Sequence, residues 1–427
     1  MISGSRAVLT VLFVAILAVL VEGCGNTFRP TIVSIPGNAG DPASLQQAVV
    51  LSTNPIGPGS ATHINGSGDT NVGVVTVGVN PVFLAKIGSS RAVIINGDQT
   101  LSFYLALLPL ATAVNTVTQP ANSTTAIAAA ASSNGNIYVA NSGTNSVTVV
   151  PGNQNVAVGN VTVDPTPVAV ATNAASNKAY VLSQGGTVRV IDTLDSAVTP
   201  AVLTVGTNPI WAVASADGQL VFVVNQGSNS VSLIDTLTDT VVGLPIPTGA
   251  SPNFAFYDAK LKRLYVNNSG ENSITVIKAD QYDLVHSVFP TALATIPLSA
   301  GPLPTSLTVL ADGSRAYVAR GGCPAGASHL TLHTVAAVAA CTGNLVSVVD
   351  TLGLRELRTI TVGSGAISID SIVDSSRVYV VNGNLGTVSV IKTSTDSELL
   401  RIAMPQQDPT CTSACPLQTP FMVRTYP

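Results

Sequence analysis

Gly218 to Val242 reads GQLVFVVNQGSNSVSLIDTLTDTVV, and the alternation inside it decides the fold. Leu220, Phe222 and Val224 alternate with Val221 and Val223, so both faces of this run are apolar, as in a strand covered on each side. Gln226-Gly227-Ser228-Asn229 interrupts it with turn formers. Beyond the turn, Val231 and Leu233 alternate with Ser230 and Ser232, which predicts a strand with one wet face, and Asp235-Thr236 opens the next turn. The stretch is half of a small antiparallel sheet.

Variants of it run through the chain. The aromatic position returns at Tyr138, Tyr180, Phe222 and Tyr265, at intervals of 42, 42 and 43 residues, and further copies centre on Val93, Tyr317 and Tyr379. A repeat of about 40 to 45 residues without a 3.6-residue period matches one four-stranded propeller blade per copy. Seven copies are clear, and the two ends supply an eighth. Ser60 to Gly78 aligns with Ser230 to Gly249, and Gln47 to Ser52 adds a strand ahead of it. At the other end, Thr419-Pro420-Phe421-Met422-Val423 repeats the blade-opening pattern of Thr166-Pro167-Val168-Ala169-Val170. The expected fold is all-β, a β-propeller over residues 44–427 with eight blades, closed by a C-terminal inner strand joining three N-terminal strands. Such closure hides sheet edges. Seven blades with one loose end is the alternative.

Tyr138-Val139-Ala140-Asn141, Phe222-Val223-Val224-Asn225, Tyr265-Val266-Asn267-Asn268 and Tyr379-Val380-Val381-Asn382 share an aromatic-Val-x-Asn pattern, and Val190-Ile191-Asp192-Thr193, Leu233-Ile234-Asp235-Thr236 and Val349-Asp350-Thr351 a second one. These repeats resemble the YVTN family of β-propeller proteins over nearly the whole mature chain. The pattern lapses at Tyr180-Val181-Leu182-Ser183 and Tyr317-Val318-Ala319-Arg320, and the first copy lacks the aromatic. The resemblance implies a bacterial or archaeal exported propeller, and related propellers include lactonases and redox-enzyme domains. Between Tyr317 and Tyr379 the interval grows to 62, with the surplus at Gly321 to Gly343, so this segment is expected to rise as a lobe from one face. A smaller insertion lies within Asp280 to Leu303.

Charged residues make up 9% of the 427, far below the ~25% usual for soluble domains, and 46% are hydrophobic. Beyond the N-terminus the longest apolar stretch, Leu101 to Val114, has 14 residues, shorter than the roughly 18 a spanning helix needs, and reads as two buried strands. A net charge of -4 argues against nucleic acid as a partner, since phosphate binding wants a clustered basic footprint. Arg6 followed by the apolar run Ala7 to Val21 matches a secretory signal over residues 1–23. Val21-Glu22-Gly23-Cys24 resembles a bacterial lipobox, although Glu22 departs from it; lipidation at Cys24 would leave residues 24–43 as a tether, and Gly25 then favours the outer membrane. Ordinary cleavage and an uncleaved anchor are the alternatives.

Setting Cys24 aside leaves Cys323, Cys341, Cys411 and Cys415, an even number, as expected in an oxidising compartment. The plainest pairing is Cys323 with Cys341 and Cys411 with Cys415, out of three possible connectivities. A zinc reading also exists, because His329 and His333 lie between Cys323 and Cys341, but the spacing is not that of a standard finger.

In four-stranded blades the second-to-third turns and the blade connections open on one face, and the other two turns on the opposite one. Asp69, Asp192, Asp195, Asp235, Asp239, Asp280, Asp283, Asp350 and Asp396 are assigned to third-to-fourth turns and Asp217, Asp258, Asp312 and Asp374 to first-to-second turns, joined there by Arg91, Lys178, Arg263, Arg315 and Arg377. Solvated turns with each Asp capping its own backbone account for this charged face. The amide face carries NSGTNS, NQGSNS, NSGENS and NGNLG. Asn141, Asn225, Asn267 and Asn382 are its candidate ligand contacts, weighed against a role in turns, and Trp211 is a candidate at the channel mouth, weighed against core packing. His63, His286, His329 and His333 are scattered, and neither a Ser-His-Asp arrangement nor a haem attachment motif occurs.

Two functions fit. The first is an exported, envelope-anchored, monomeric and non-catalytic propeller, without cofactor or metal, binding a protein or polysaccharide through the amide face and the stapled lobe. The second is a hydrolase of lactonase type, which requires a metal or a carboxylate cluster with His or Arg at the channel mouth.

Overall fold

The computed structural model describes residues 46–427 apart from 108–113, 122, 124, 153–155, 158, 174–176, 325, 329 and 414. The signal segment, Cys24, the tether and His329 lie outside the described residues. The described chain forms eight four-stranded antiparallel sheets, each with its strands in sequence order except the first. Blade 1 is composite: its inner strand is Thr419–Tyr426, followed outward by Gln47–Thr53, Pro58–Asn65 and Thr70–Val79. Inner strands then follow round the ring at Pro81–Ile87, Ala126–Ala131, Pro167–Asn173, Pro209–Ala214, Pro252–Asp258, Ser306–Val309 and Ala366–Ser371 for blades 2 to 8. The protein is an eight-bladed β-propeller, and its two chain ends share one blade.

Within a blade, burial follows strand order. In blade 5 the second strand, Leu220–Asn225, is buried at every residue, and the outer strand, Thr240–Pro247, buries only Val242 and Ile246. The third strand, Ser230–Asp235, is also buried throughout, which corrects the expectation of a wet face. Its serines point inward because they satisfy an amide: Asn225 Nδ2 donates to Ser230 Oγ at 3.3 Å and to Ser232 Oγ at 3.0 Å. The same staple recurs from Asn96 to Thr100 and Ser102, Asn141 to Ser146 and Thr148, Asn268 to Ser273 and Ser273's neighbour Thr275, and Asn382 to Thr387 and Ser389. Gly206, entering blade 5, lies against Asn225 so closely that a Cβ there would fall 2.7 Å from the amide carbon, which requires glycine. In blade 7 Arg320 takes the asparagine's place, and its guanidinium donates to Pro302 O at 2.8 Å, Ser299 O at 2.6 Å and Ser347 Oγ at 3.3 Å.

Between blades the charged face is latched. In blades 2, 4, 6 and 7 a cation at the start of the second strand reaches the third-to-fourth turn of the next blade: Arg91 to Gly152 O, Lys178 to Thr236 O, Arg263 to Thr351 O and Arg315 to Thr393 O. At three wedges an aspartate in that turn completes an ion pair, Lys178–Asp239 at 2.7 Å, Arg315–Asp396 at 2.9 Å and Arg377–Asp69 at 2.9 Å. The tyrosine two residues after each cation donates to the same carboxylate, Tyr180 to Asp239 at 3.0 Å, Tyr317 to Asp396 at 2.5 Å and Tyr379 to Asp69 at 3.1 Å. Turn aspartates therefore divide into two groups. Asp192, Asp195, Asp217, Asp312 and Asp350 cap their own backbone as expected, whereas Asp69, Asp239 and Asp396 join neighbouring blades.

Gly321 to Gly343 is stapled by the Cys323–Cys341 disulfide, and Cys411 pairs with Cys415. The segment touches the neighbouring blade 8. Its short helix, Val335–Ala339, capped by Thr334, buries Val338 against Gly383 of blade 8, and Asn384 Nδ2 donates to Cys341 O at 2.8 Å. The smaller insertion falls between the third and outer strands of blade 6, Ser273–Lys278 and Thr291–Pro297.

Candidate functional site

Inner strands of a propeller carry one free edge into the central channel, so their side chains decide what the channel can hold. At the charged-face end two adjoining cavities, of about 230 and 420 Å³, share Phe256, Tyr257 and Asp370. Trp211, Phe254, Phe256 and Tyr257, from blades 5 and 6, form an aromatic wall in the inner cavity. Arg424 and Asp370, from blades 1 and 8, complete that cavity, and Lys86 with Lys260 and Asp258 lines the outer one.

Each group is positioned by its neighbours. Trp211 donates its indole N–H to Ala255 O at 3.1 Å and tilts against Phe254 with ring centroids 5.2 Å apart. Its ring is half-buried and borders the cavity, so it packs and lines at once. Asp370 stitches the closing strand: Oδ2 accepts Thr425 N–H at 2.9 Å and the Thr425 hydroxyl at 3.2 Å, and Oδ1 accepts Ser371 N–H at 2.9 Å. Lys86 Nζ donates to Thr425 O and stands 4.9 Å from the centroid of Tyr426. Burial lowers the Lys86 ammonium from its usual range, with Asp370 acting against the shift and Arg424 adding to it. Burial likewise lowers Arg424, with Asp370 again opposing. Three cations, Lys86, Lys260 and Arg424, against two carboxylates, Asp258 and Asp370, leave the channel end with an excess positive charge.

The amide face is different. Asn141, Asn225 and Asn382 are wholly buried, their Nδ2 groups held by hydroxyls of the next strand, so they do not face a ligand. Asn267 is buried on the opposite side of its strand from the stapling Asn268, and neither its Nδ2 nor its Oδ1 has a partner among the described residues. The turn asparagines are structural too: Asn145 Oδ1 accepts Thr166 N–H and Asn229 Oδ1 accepts Ser251 N–H, joining each turn to the next blade's entry. Cys323 and Cys341 are joined to each other and so cannot ligate zinc as a pair, and among the described residues no three His, Cys, Asp or Glu side chains converge. His63 is buried with ring nitrogens 2.8 Å from Gln47 Oε1 and 3.1 Å from the Tyr104 hydroxyl.

Sequence reasoning missed Lys86, Asp370 and Arg424. Blade-opening positions near the middle of inner strands are hydrophobic in most copies, and a charge at Arg424 or Asp370 against that background is the signal that marks them.

No protein-family model matches the sequence and no curated protein does, so the YVTN resemblance rests on the quoted motifs. Solved structures match widely. The dihydro-heme d1 dehydrogenase NirN in complex with DHE is 12% identical, with 92% of this chain and 77% of that one covered at a TM-score of 0.65. AztD of Citrobacter koseri is 13% identical, covering 89% and 97% at 0.62, and hydrazine synthase of Kuenenia stuttgartiensis is 19% identical, covering 74% and 96% at 0.54. At these identities the likeness is one of fold: the chain is built as a β-propeller.

Proposed function

We propose that this is an exported, non-catalytic binding module whose ligand enters the channel from the charged face, and that the ligand is the end of an acidic polysaccharide. The observation that carries this is the Arg424 and Lys86 cations in cavities walled by Trp211, Phe254, Phe256 and Tyr257. A uronic-acid ring offers a carboxylate for the guanidinium and a C–H face for the aromatic side chains. Two disulfides support an oxidising compartment, and anchoring through a lipidated Cys24 belongs to the same proposal. Asp370 has both oxygens engaged by Ser371 and Thr425, so no observation favours the lactonase-type alternative. Titration calorimetry with trigalacturonate and maltotriose tests the reading. The acidic sugar should bind, with affinity falling at least tenfold in Arg424→Gln and in Lys86→Met; equal binding of both sugars, or of all three proteins, would overturn it.

A further inference from the structure

Elsewhere on the charged face, between blades 4, 5 and 6, lies a cavity of about 720 Å³ that the channel site does not involve. Its floor and walls are the first-to-second turn of blade 5 (Asp217, Gly218, Gln219), the following turn (Asp235, Thr236, Leu237) and the blade 6 insertion from Tyr282 to Val285. That insertion is fixed at its base. Tyr282 donates its hydroxyl to Asp235 Oδ2, Asp283 and Val288 form an antiparallel bridge, and Phe289 lies against Gly243, which adopts a φ of 67°. Its tip is nonetheless apolar and in water: Val285 is 88% exposed, and Leu237 across the cavity is 86% exposed. An anchored loop that holds valine in solvent facing an equally bare leucine is preorganised for contact with apolar groups.

The charges around this groove are one-sided. Lys178 on its rim is already paired with Asp239 at 2.7 Å. Asp217 accepts hydrogen bonds from Ser215 and Gln219, and Asp235 from Thr238 and Tyr282, none of them cationic. For Asp235, burial raises the carboxyl but the hydrogen bonds from Tyr282 and Thr238 outweigh it, and the group is held below the usual carboxylate range. Asp283 has the exposed His286 imidazole at 2.6 Å. Anionic membrane surfaces are repelled by such a rim. We infer that this groove docks a segment of a partner protein in which lysine or arginine stands next to apolar side chains, the cations meeting Asp217 and Asp283 and the apolar groups meeting Leu237, Leu284 and Val285.

The test uses a synthetic hexapeptide alternating leucine and lysine, blocked at both ends, with two controls in which glutamate replaces lysine or serine replaces leucine. Fluorescence anisotropy on the intact chain should show salt-dependent binding of the first peptide and at least tenfold weaker binding of both controls. Asp217→Asn with Asp283→Asn, and separately Leu237→Ser with Val285→Ser, should each weaken the first peptide at least fivefold with unchanged melting temperature, since these side chains carry no core contact. Arg424→Gln should bind the peptide as wild type does, which separates this groove from the channel. Wild-type-like binding in both double variants, or equal binding of the three peptides, would overturn the inference.

Discussion

Tyr379 of blade 8 donates its phenolic hydrogen to Asp69 of blade 1 at 3.1 Å, joining residues 310 apart in sequence across the seam where the ring closes. Arg377 holds the other oxygen at 2.9 Å, and both charged side chains are almost fully buried. The seam is therefore fastened twice, by the Thr419–Tyr426 strand on the inside and by this latch near the charged face. Breaking a buried pair leaves a bare charge, which costs about 3 to 5 kcal/mol. Asp69→Ala should lower unfolding free energy by roughly that amount. Chemical denaturation checks it, and a loss comparable to an exposed surface substitution would show that the latch is idle.

The wedge between blades 6 and 7 has no such carboxylate among the described residues. Leu354 occupies the position of Asp69, Asp239 and Asp396, with a φ of 50° that disfavours a leucine. The Tyr265 hydroxyl of blade 6 consequently has no acceptor among the described residues, although Arg263 is beside it. Leu354→Asp should rebuild the arrangement and stabilise the protein by about 1 kcal/mol. Differential scanning calorimetry would show a higher melting temperature; a lower one would mean that the packing of Leu354 outweighs the restored hydrogen bond.

Asn267 occupies a position held by Val224 in blade 5 and Val381 in blade 8, yet both its amide atoms are buried without partners among the described residues. A buried unsatisfied polar group costs about 1 to 3 kcal/mol. Asn267→Val should accordingly raise stability by a similar amount. A destabilised variant would indicate ordered water bound to the amide.

His63 predicts an acid response. Burial pushes its imidazole down to about 4 from 6.5, so the folded protein holds it neutral while the unfolded chain protonates it first. Stability from this residue is complete above pH 6.5 and is lost as pH falls from 6.5 towards 4, by up to roughly 3 kcal/mol at 1.36 kcal/mol per unit. Denaturation midpoints across that window should fall less steeply in His63→Gln, and parallel pH curves would contradict the assignment.

The repeat made the fold legible because every blade must bury the same strand in the same way: the aromatic at Tyr138, Tyr180, Phe222, Tyr265, Tyr317 and Tyr379 is wholly buried in each. Strand order, the shared first blade and both insertions followed from it. What escaped was the direction of polar side chains. Ser232 alternates with apolar residues like a surface serine but faces the Asn225 amide, and Asp239 sits in a turn yet bonds a neighbouring blade. The latches between blades join residues 58 to 88 positions apart, and 308 and 310 at the seam, so no local pattern reveals them. The channel groups are hidden for the same reason, since Lys86, Asp370 and Arg424 come from three blades and meet only when the ring closes.

Co-crystallisation with trigalacturonate tests the central claim most directly. The account places sugar density at the charged-face end of the channel, with a carboxylate on Arg424 and a ring face against Trp211, Phe256 or Tyr257. Density confined to the amide-face loops, with the channel empty at saturating ligand, would contradict it.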